Sequence, residues 1–183
     1  MAAYLIAGRL ALLVAVEPGY ATPIFPPAGL AIVAMLLFGP ASLPWTRLGS
    51  FLLNLWTAHA ISIERGLALH PLAISALATA TIIATASTLQ AASGGVVLRR
   101  ASGYPALFAN EQHEVWRYLI LTPAVCLTSA TASLIGLALI GAVEPPHLAL
   151  HWFTWWIGDT FGVLAMLPLL LLGIAGWMRS ASD

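Results

Sequence analysis

From Gly66 to Leu98 the chain runs without a formally charged residue. Coiled as an α-helix rising about 1.5 Å per residue, that stretch exceeds the roughly 30 Å of a bilayer's hydrocarbon core. The rest of the chain has the same character. Hydrophobic residues make up 60% of the 183 and charged residues only 8%, against about 25% charged in soluble domains. Backbone groups in lipid must satisfy one another, and a helix does so within a single segment. The expected fold is therefore all-α: one polytopic transmembrane helix bundle, a single integral-membrane domain over 1–183. At roughly 20 apolar residues per crossing, the length holds about six spans and leaves no room for a soluble catalytic domain.

Prolines, glycines and the few charges punctuate the apolar runs and place spans at about 2–16, 26–39, 45–63, 71–98, 115–141 and 148–177. The first two are short for a full crossing. They are joined by Glu17-Pro18-Gly19-Tyr20-Ala21-Thr22-Pro23-Ile24-Phe25-Pro26-Pro27, whose prolines forbid a continuous helix. Non-helical backbone at membrane depth requires protein or a water-filled cavity around it, so part of this break is expected to dip back into the bundle. The first run is read as a span and not as a cleaved signal peptide, because no base precedes it and further hydrophobic segments follow.

All seven bases are arginines and the formal charge is zero, which offers no basic surface to nucleic acid. With six spans, Arg47, Arg99, Arg100, Arg117 and Arg179 fall on one side, and Arg65 falls on the other with Glu17, Glu64 and Glu144. The excess of Arg marks the cytoplasmic side, so both termini are expected there. The connection from Arg99 to Glu114 belongs to the same side. No internal repeat is evident. The fourth span is rich in Ala, Ser and Thr, and Ala76, Ala80, Ala84, Thr88 and Ala92 form a stripe of small residues that a neighbouring helix can approach closely. That helix is expected near the centre of the bundle.

Polar side chains inside a membrane are functional candidates by default. Asp159, about twelve residues into the last span, falls near the midplane, and Asn54 falls at a similar depth in the third. Arg9 is the base best placed to reach that level, so a buried Arg9–Asp159 ion pair with Asn54 beside it is expected; Arg9 can also snorkel to the headgroups. His59 and His151 lie toward the outer ends of their spans, and bis-histidine haem ligation by them is an alternative. His70, His113 and His147 read as loop or interface residues. One cysteine, Cys126, gives neither a disulfide framework nor a cysteine zinc site. The sequence requires no metal and no cofactor.

The last span opens with His151-Trp152-Phe153-Thr154-Trp155-Trp156. Interfacial anchoring accounts for some of these aromatics; the others, with Phe25, can wall an outward-facing pocket. No Gly-x-Ser-x-Gly and no phosphate loop is present, and the pair Glu111 and Glu114 reads as helix-dipole acids. No catalytic residue is assigned, and the chain reads as a non-enzyme.

These motifs carry a family resemblance. Pro23-Ile24-Phe25-Pro26-Pro27-Ala28-Gly29-Leu30-Ala31, Leu36-Leu37-Phe38-Gly39 and Gly49-Ser50-Phe51-Leu52-Leu53-Asn54-Leu55, followed late in the chain by Trp155-Trp156-Ile157-Gly158-Asp159-Thr160-Phe161-Gly162-Val163-Leu164 and Pro168, resemble the bacterial membrane-associated sensor domain, type one. Phe25 stands where the family has Trp; the stretch from about Ala60 to Ala149 matches in character only. The resemblance implies a sensory input domain in the bacterial inner membrane, normally ahead of histidine kinase, diguanylate cyclase (GGDEF) or phosphodiesterase (EAL) modules. Pro26, Pro27, Gly29, Asn54, Trp155, Trp156, Gly158, Asp159 and Gly162 match the family's recurrent positions, and with Phe25 they are the residues expected to serve ligand binding or signal coupling. The chain stops soon after Arg179, so its effector is expected either on a longer chain or as a separate partner. The other expected partners are the lipid bilayer, an unidentified small ligand and a second copy in a homodimer. The alternatives to a sensor are a small transporter or channel component with a polar path at Arg9, Asn54 and Asp159, and the haem protein above.

Overall fold

The computed structural model describes residues 1–15, 21–64, 69–101 and 112–180, and the side chains of these except at 62, 64, 69–73, 112–114 and 174–180. The expectations for Glu17 to Tyr20, Arg65 and Glu111, and for the side chains of Glu64, His70, His113, Glu114 and Arg179, lie outside the described residues. Six α-helices follow one another: α1 (Ala2–Leu12), α2 (Pro26–Phe38), α3 (Leu43–Glu64), α4 (Leu69–Ala101), α5 (Gln112–Leu139) and α6 (Leu148–Ser180). Short 3-10 turns at Gly39–Ser42 and Pro145–His147 lead into α3 and α6.

Helix number and span number are not the same. Among the described residues, four stretches are long and apolar enough to cross a membrane: Pro26–Ile61, Ile74–Ala101, Val115–Leu139 and Pro145–Gly173. The expectation of about six spans is not confirmed, because the first two helices are short. At 11 and 13 residues, α1 and α2 rise about 16 and 20 Å, well short of a bilayer core. Proline chemistry sets the start of α2, and its end lies at Gly39, whose φ of 65° suits a residue without a Cβ. A second glycine at positive φ, Gly141, closes α5: Ala142 N–H donates to Leu137 O (2.9 Å) and Gly141 N–H to Ala138 O (3.1 Å). This is the Schellman pattern that satisfies terminal carbonyls.

The helices pack as a ring in the order α1, α2, α6, α5, α4, α3, with α2 also touching α4 across the middle. α1 runs alongside α3 in the same direction, since Tyr4 meets Gly49, Gly8 meets Leu53 and Arg9 meets Trp56. α4 thus takes the central place expected of it, against α3, α5 and α2. The stripe of small residues is buried only at Ala76, Ala80 and Ala84; Thr88 and Ala92 are half-buried. Four residues turn a helix by about 400°, so a spacing of four drifts about 40° per repeat. Further along, the buried face passes to Ala91, Gly94, Gly95 and Leu98.

The exterior is apolar, with Phe38, Trp45, Trp56, Ile74, Trp116, Leu139, Leu169 and Leu172 all exposed. Exposed threonines on α4 satisfy their own hydroxyls: Thr81 donates to Leu77 O (2.7 Å) and Thr85 to Thr81 O (2.8 Å). Polar groups otherwise gather inside, among them Ser50, Asn54, Gln90, Thr122, Ser129, Ser133 and Asp159. An apolar outside around a polar inside is the arrangement a lipid solvent favours.

Candidate functional site

Two parts of the sequence more than a hundred residues apart meet at mid-length of α6. The segment before α2 lies on its backbone. Phe25 N–H donates to Gly158 O (2.9 Å), and a Cβ added at Gly158 or at Gly162 would run into the carbonyl of Thr22 or of Phe25 respectively. From the other side, a Cβ at Gly29 would sit 2.5 Å from Gly162 O. Three glycines therefore let two backbones touch. The four-residue spacing of Gly158 and Gly162 is the small-residue spacing of close helix packing, a signal in the sequence that resemblance alone did not explain.

The helix start at this depth leaves few donors stranded. The first N–H groups of a helix have no partner within it, and in lipid each would be costly. Pro26 and Pro27 occupy the first two helical positions and have no N–H to strand. Ala28 N–H donates to Phe25 O (3.1 Å), and Thr22 Oγ1 donates to Ile24 O (2.6 Å), closing the preceding turn. From Ala21 on, the Pro-rich break is thus non-helical backbone held by these bonds, with Ala21 and Thr22 buried and Pro23 and Ile24 exposed.

Beside this seam lies a cavity of about 10 Å³ lined by Leu12, Ala21, Thr22, Phe25, Leu53, Asn54, Ile83, Trp155 and Asp159. That is room for about one water molecule. Asp159 is only 2% exposed, and its Oδ1 has no hydrogen-bond partner. Gln90 of α4 and Ser129 of α5 lie beside the carboxylate; the Ser129 hydroxyl is unpartnered too, while its N–H donates to Gln90 Oε1 (3.3 Å). Asn54 donates its amide to Ser50 O (2.8 Å) one turn back, and Ser50 is bonded across to Ser87 of α4 (3.3 Å).

The structure thus brings together Phe25, Asn54, Trp155 and Asp159 around the cavity and Gly29, Gly158 and Gly162 along the seam, with Pro26 and Pro27 at the helix start. Other expectations are corrected. Arg9 does not pair with Asp159: it is exposed, with its guanidinium 4.4 Å from the centre of the Trp56 ring. Trp156 faces away from the cavity and pins α6 to α5, donating from Nε1 to Pro123 O (2.8 Å) and stacking on Trp152 (5.9 Å). The expected aromatic pocket therefore shrinks to Phe25 and Trp155 around a space for one small species. His59 is exposed on α3, while His151 is buried on α6 with its ring 6.4 Å from that of His147, so the haem pair is not assembled. Among the described residues no group of three or more His, Cys, Asp or Glu could hold a metal. Sequence reading missed Gln90 and Ser129. Gln90 is the one amide in the Ala-rich fourth helix, which was a usable signal; Ser129 has no such mark among many similar hydroxyls.

Comparison with known families decides what this arrangement belongs to: the model of MASE1, a membrane-associated sensor domain of signalling proteins, matches residues 1–182. The chain belongs to the MASE1 family. MASE1 is a membrane sensory domain and not a catalytic one, which accords with a site built from docking surfaces and one buried acid. The match covers every described residue, so both the seam and the cavity lie within the MASE1 domain. No curated protein and no solved structure matches the chain.

Proposed function

We propose that this MASE1 chain is the sensory input domain of a bacterial signal-transduction protein in the inner membrane, and that it reports on a small ligand or membrane signal to a histidine kinase or cyclic-di-GMP enzyme at its C-terminal side. The effector supplies the catalysis, either on a longer chain or as a separate partner. The observation that carries this reading is the seam. The Pro-rich segment rests directly on the backbone of α6, the helix that leads to the C-terminus, so a change in that segment or in the cavity beside it has a mechanical path to whatever follows. A signal can shift this arrangement only by favouring one packing of the bundle over another.

In the same reading, α1 and α2 enter from the cytoplasmic side as a hairpin that ends at mid-depth, and four full crossings follow. A hairpin returns the chain to the side it came from, so both termini stay cytoplasmic, as the grouping of Arg47, Arg99, Arg100 and Arg117 suggests. The test is to join the chain to a diguanylate cyclase and measure cyclic-di-GMP in Trp155→Ala and Asp159→Asn proteins that still insert. Altered output in either supports the reading; output equal to the parent in both removes the cavity from signalling.

A further inference from the structure

Three polar side chains face the cavity: Thr22, Asn54 and Asp159. The Thr22 hydroxyl donates to Ile24 O, and the Asn54 amide nitrogen donates to Ser50 O. What remains for the cavity from these three is oxygen, from the Asn54 amide and from the Asp159 carboxylate. Behind the carboxylate, the Ser129 hydroxyl has no partner, and the oxygen of Gln90 is oriented by the N–H of Ser129. Beside the carboxylate stand the side chains of Gln90 and Ser129, yet its Oδ1 has no hydrogen-bond partner and the acid is only 2% exposed.

An ionised carboxylate at membrane depth is strongly disfavoured unless something neutralises it. The basic side chain nearest in depth, Arg9, lies outside the bundle on Trp56, and the other titratable side chains near the acid are Tyr4 of α1 and Cys126 of α5, neither of which brings positive charge. The size of the cavity admits about one water-sized species. A single carboxylate balances one positive charge, and hard oxygen donors without histidine or thiolate suit an alkali cation over a transition metal.

We propose that Asp159, with the amide oxygen of Asn54 across the cavity and the hydroxyl of Ser129 beside it, binds one small monovalent cation of the size of Na⁺. The bound ion joins α3 and α6 at the level where the Pro-rich segment docks, with Ser129 of α5 supporting the carboxylate from behind. The proposal does not depend on the signalling role above, because its readout is ion binding and not output.

The test uses the purified full chain in detergent at pH 8, with thermal unfolding followed in NaCl, KCl or N-methylglucamine chloride at equal ionic strength, and with equilibrium binding of ²²Na⁺. Binding to the folded state alone raises Tm with ligand concentration. The expected result is a saturable rise in Tm with Na⁺, smaller with K⁺ and absent with N-methylglucamine, and one ²²Na⁺ retained per chain. Asp159→Asn should abolish both. Should that variant not fold, Ser129→Ala and Asn54→Ala each serve in its place, with Na⁺ affinity weakened by about tenfold or more. Equal Tm in the three salts with no ²²Na⁺ retained overturns the proposal. A Na⁺ effect unchanged in every variant that folds does so too, as does a Tm that follows pH and ignores Na⁺, which would assign the carboxylate a proton instead.

Discussion

On one face of α6, Gly158 and Gly162 carry the Pro-rich segment backbone to backbone, with Phe25 N–H bonded to Gly158 O and prolines where free donors would otherwise stand. One residue along, Asp159 turns to a cavity with a carboxylate oxygen that no protein group bonds. The first region is closed both sterically and in its hydrogen bonding. The second is filled to within a water's volume yet electrically incomplete. Buried polar groups in native proteins are overwhelmingly partnered, so an incomplete group beside a complete seam marks the place where something can be added without disturbing the scaffold. The seam fixes the geometry, and the cavity leaves one buried acid unfinished.

The sharpest way to break this contrast is to put one carbon into the seam. Gly162→Ala drives a Cβ into the carbonyl of Phe25, and a backbone cannot swing aside as a side chain can. The expected loss is about 3 kcal/mol, the upper end for overpacking, read as unfolding in detergent. A loss below about 1 kcal/mol would show that the two backbones are not held together as described. A smaller effect follows from removing a proline. Pro27→Ala creates an N–H at the buried second position of α2, and leaving one such donor unsatisfied costs about 1–3 kcal/mol. Pro23→Ala, at an exposed position, serves as the control and should stay within about 0.5 kcal/mol of the parent.

A third change tests whether the other side of α6 is as well fastened as the seam. Tyr118 of α5 is buried, and its hydroxyl donates to Val163 O (2.8 Å), next to the Leu164 carbonyl that Pro168 deprives of its helical donor. Tyr118→Phe removes the hydrogen bond to Val163 O and keeps the ring, so the expected loss is about 1 kcal/mol. A larger loss would mean that α5, as well as the Pro-rich segment, sets the position of α6.

Helix positions were legible because apolar runs and prolines report directly on where a helix can begin and continue. The number of crossings was not, because it depends on how deep the chain descends before turning. Where α2 starts against α6 is set by where Thr22 and Phe25 dock, and the surface they dock on is Gly158 and Gly162, far away in sequence. The motif residues of the site were legible through resemblance, yet their roles separated only in three dimensions. Gly158 and Asp159 are adjacent in sequence, but about 100° of helical rotation puts one in the seam and the other in the cavity. Trp155 and Trp156 divide in the same way, one lining the cavity and the other bonded to Pro123 O.

The same rotation explains why depth alone gave a false pairing for Arg9, and it supplies the smallest of the expected effects. Gly8 packs on Leu53 inside the bundle; its neighbour Arg9, turned by about 100°, emerges on the exposed ring of Trp56. Had Arg9 neutralised Asp159, removing the base would strand a buried charge, and the double variant would be milder than the sum of the single ones. With the guanidinium on Trp56, Arg9→Ala loses only a cation–π contact at an exposed site, about 0.5–1 kcal/mol. Its effect should then add to that of Asp159→Ala within about 0.5 kcal/mol, as it does for residues that share no partner. A double-mutant cycle by thermal unfolding reads this directly. Coupling beyond that limit would reconnect the exterior of α1 to the cavity, and the separation between a finished scaffold and one unfinished acid would no longer hold.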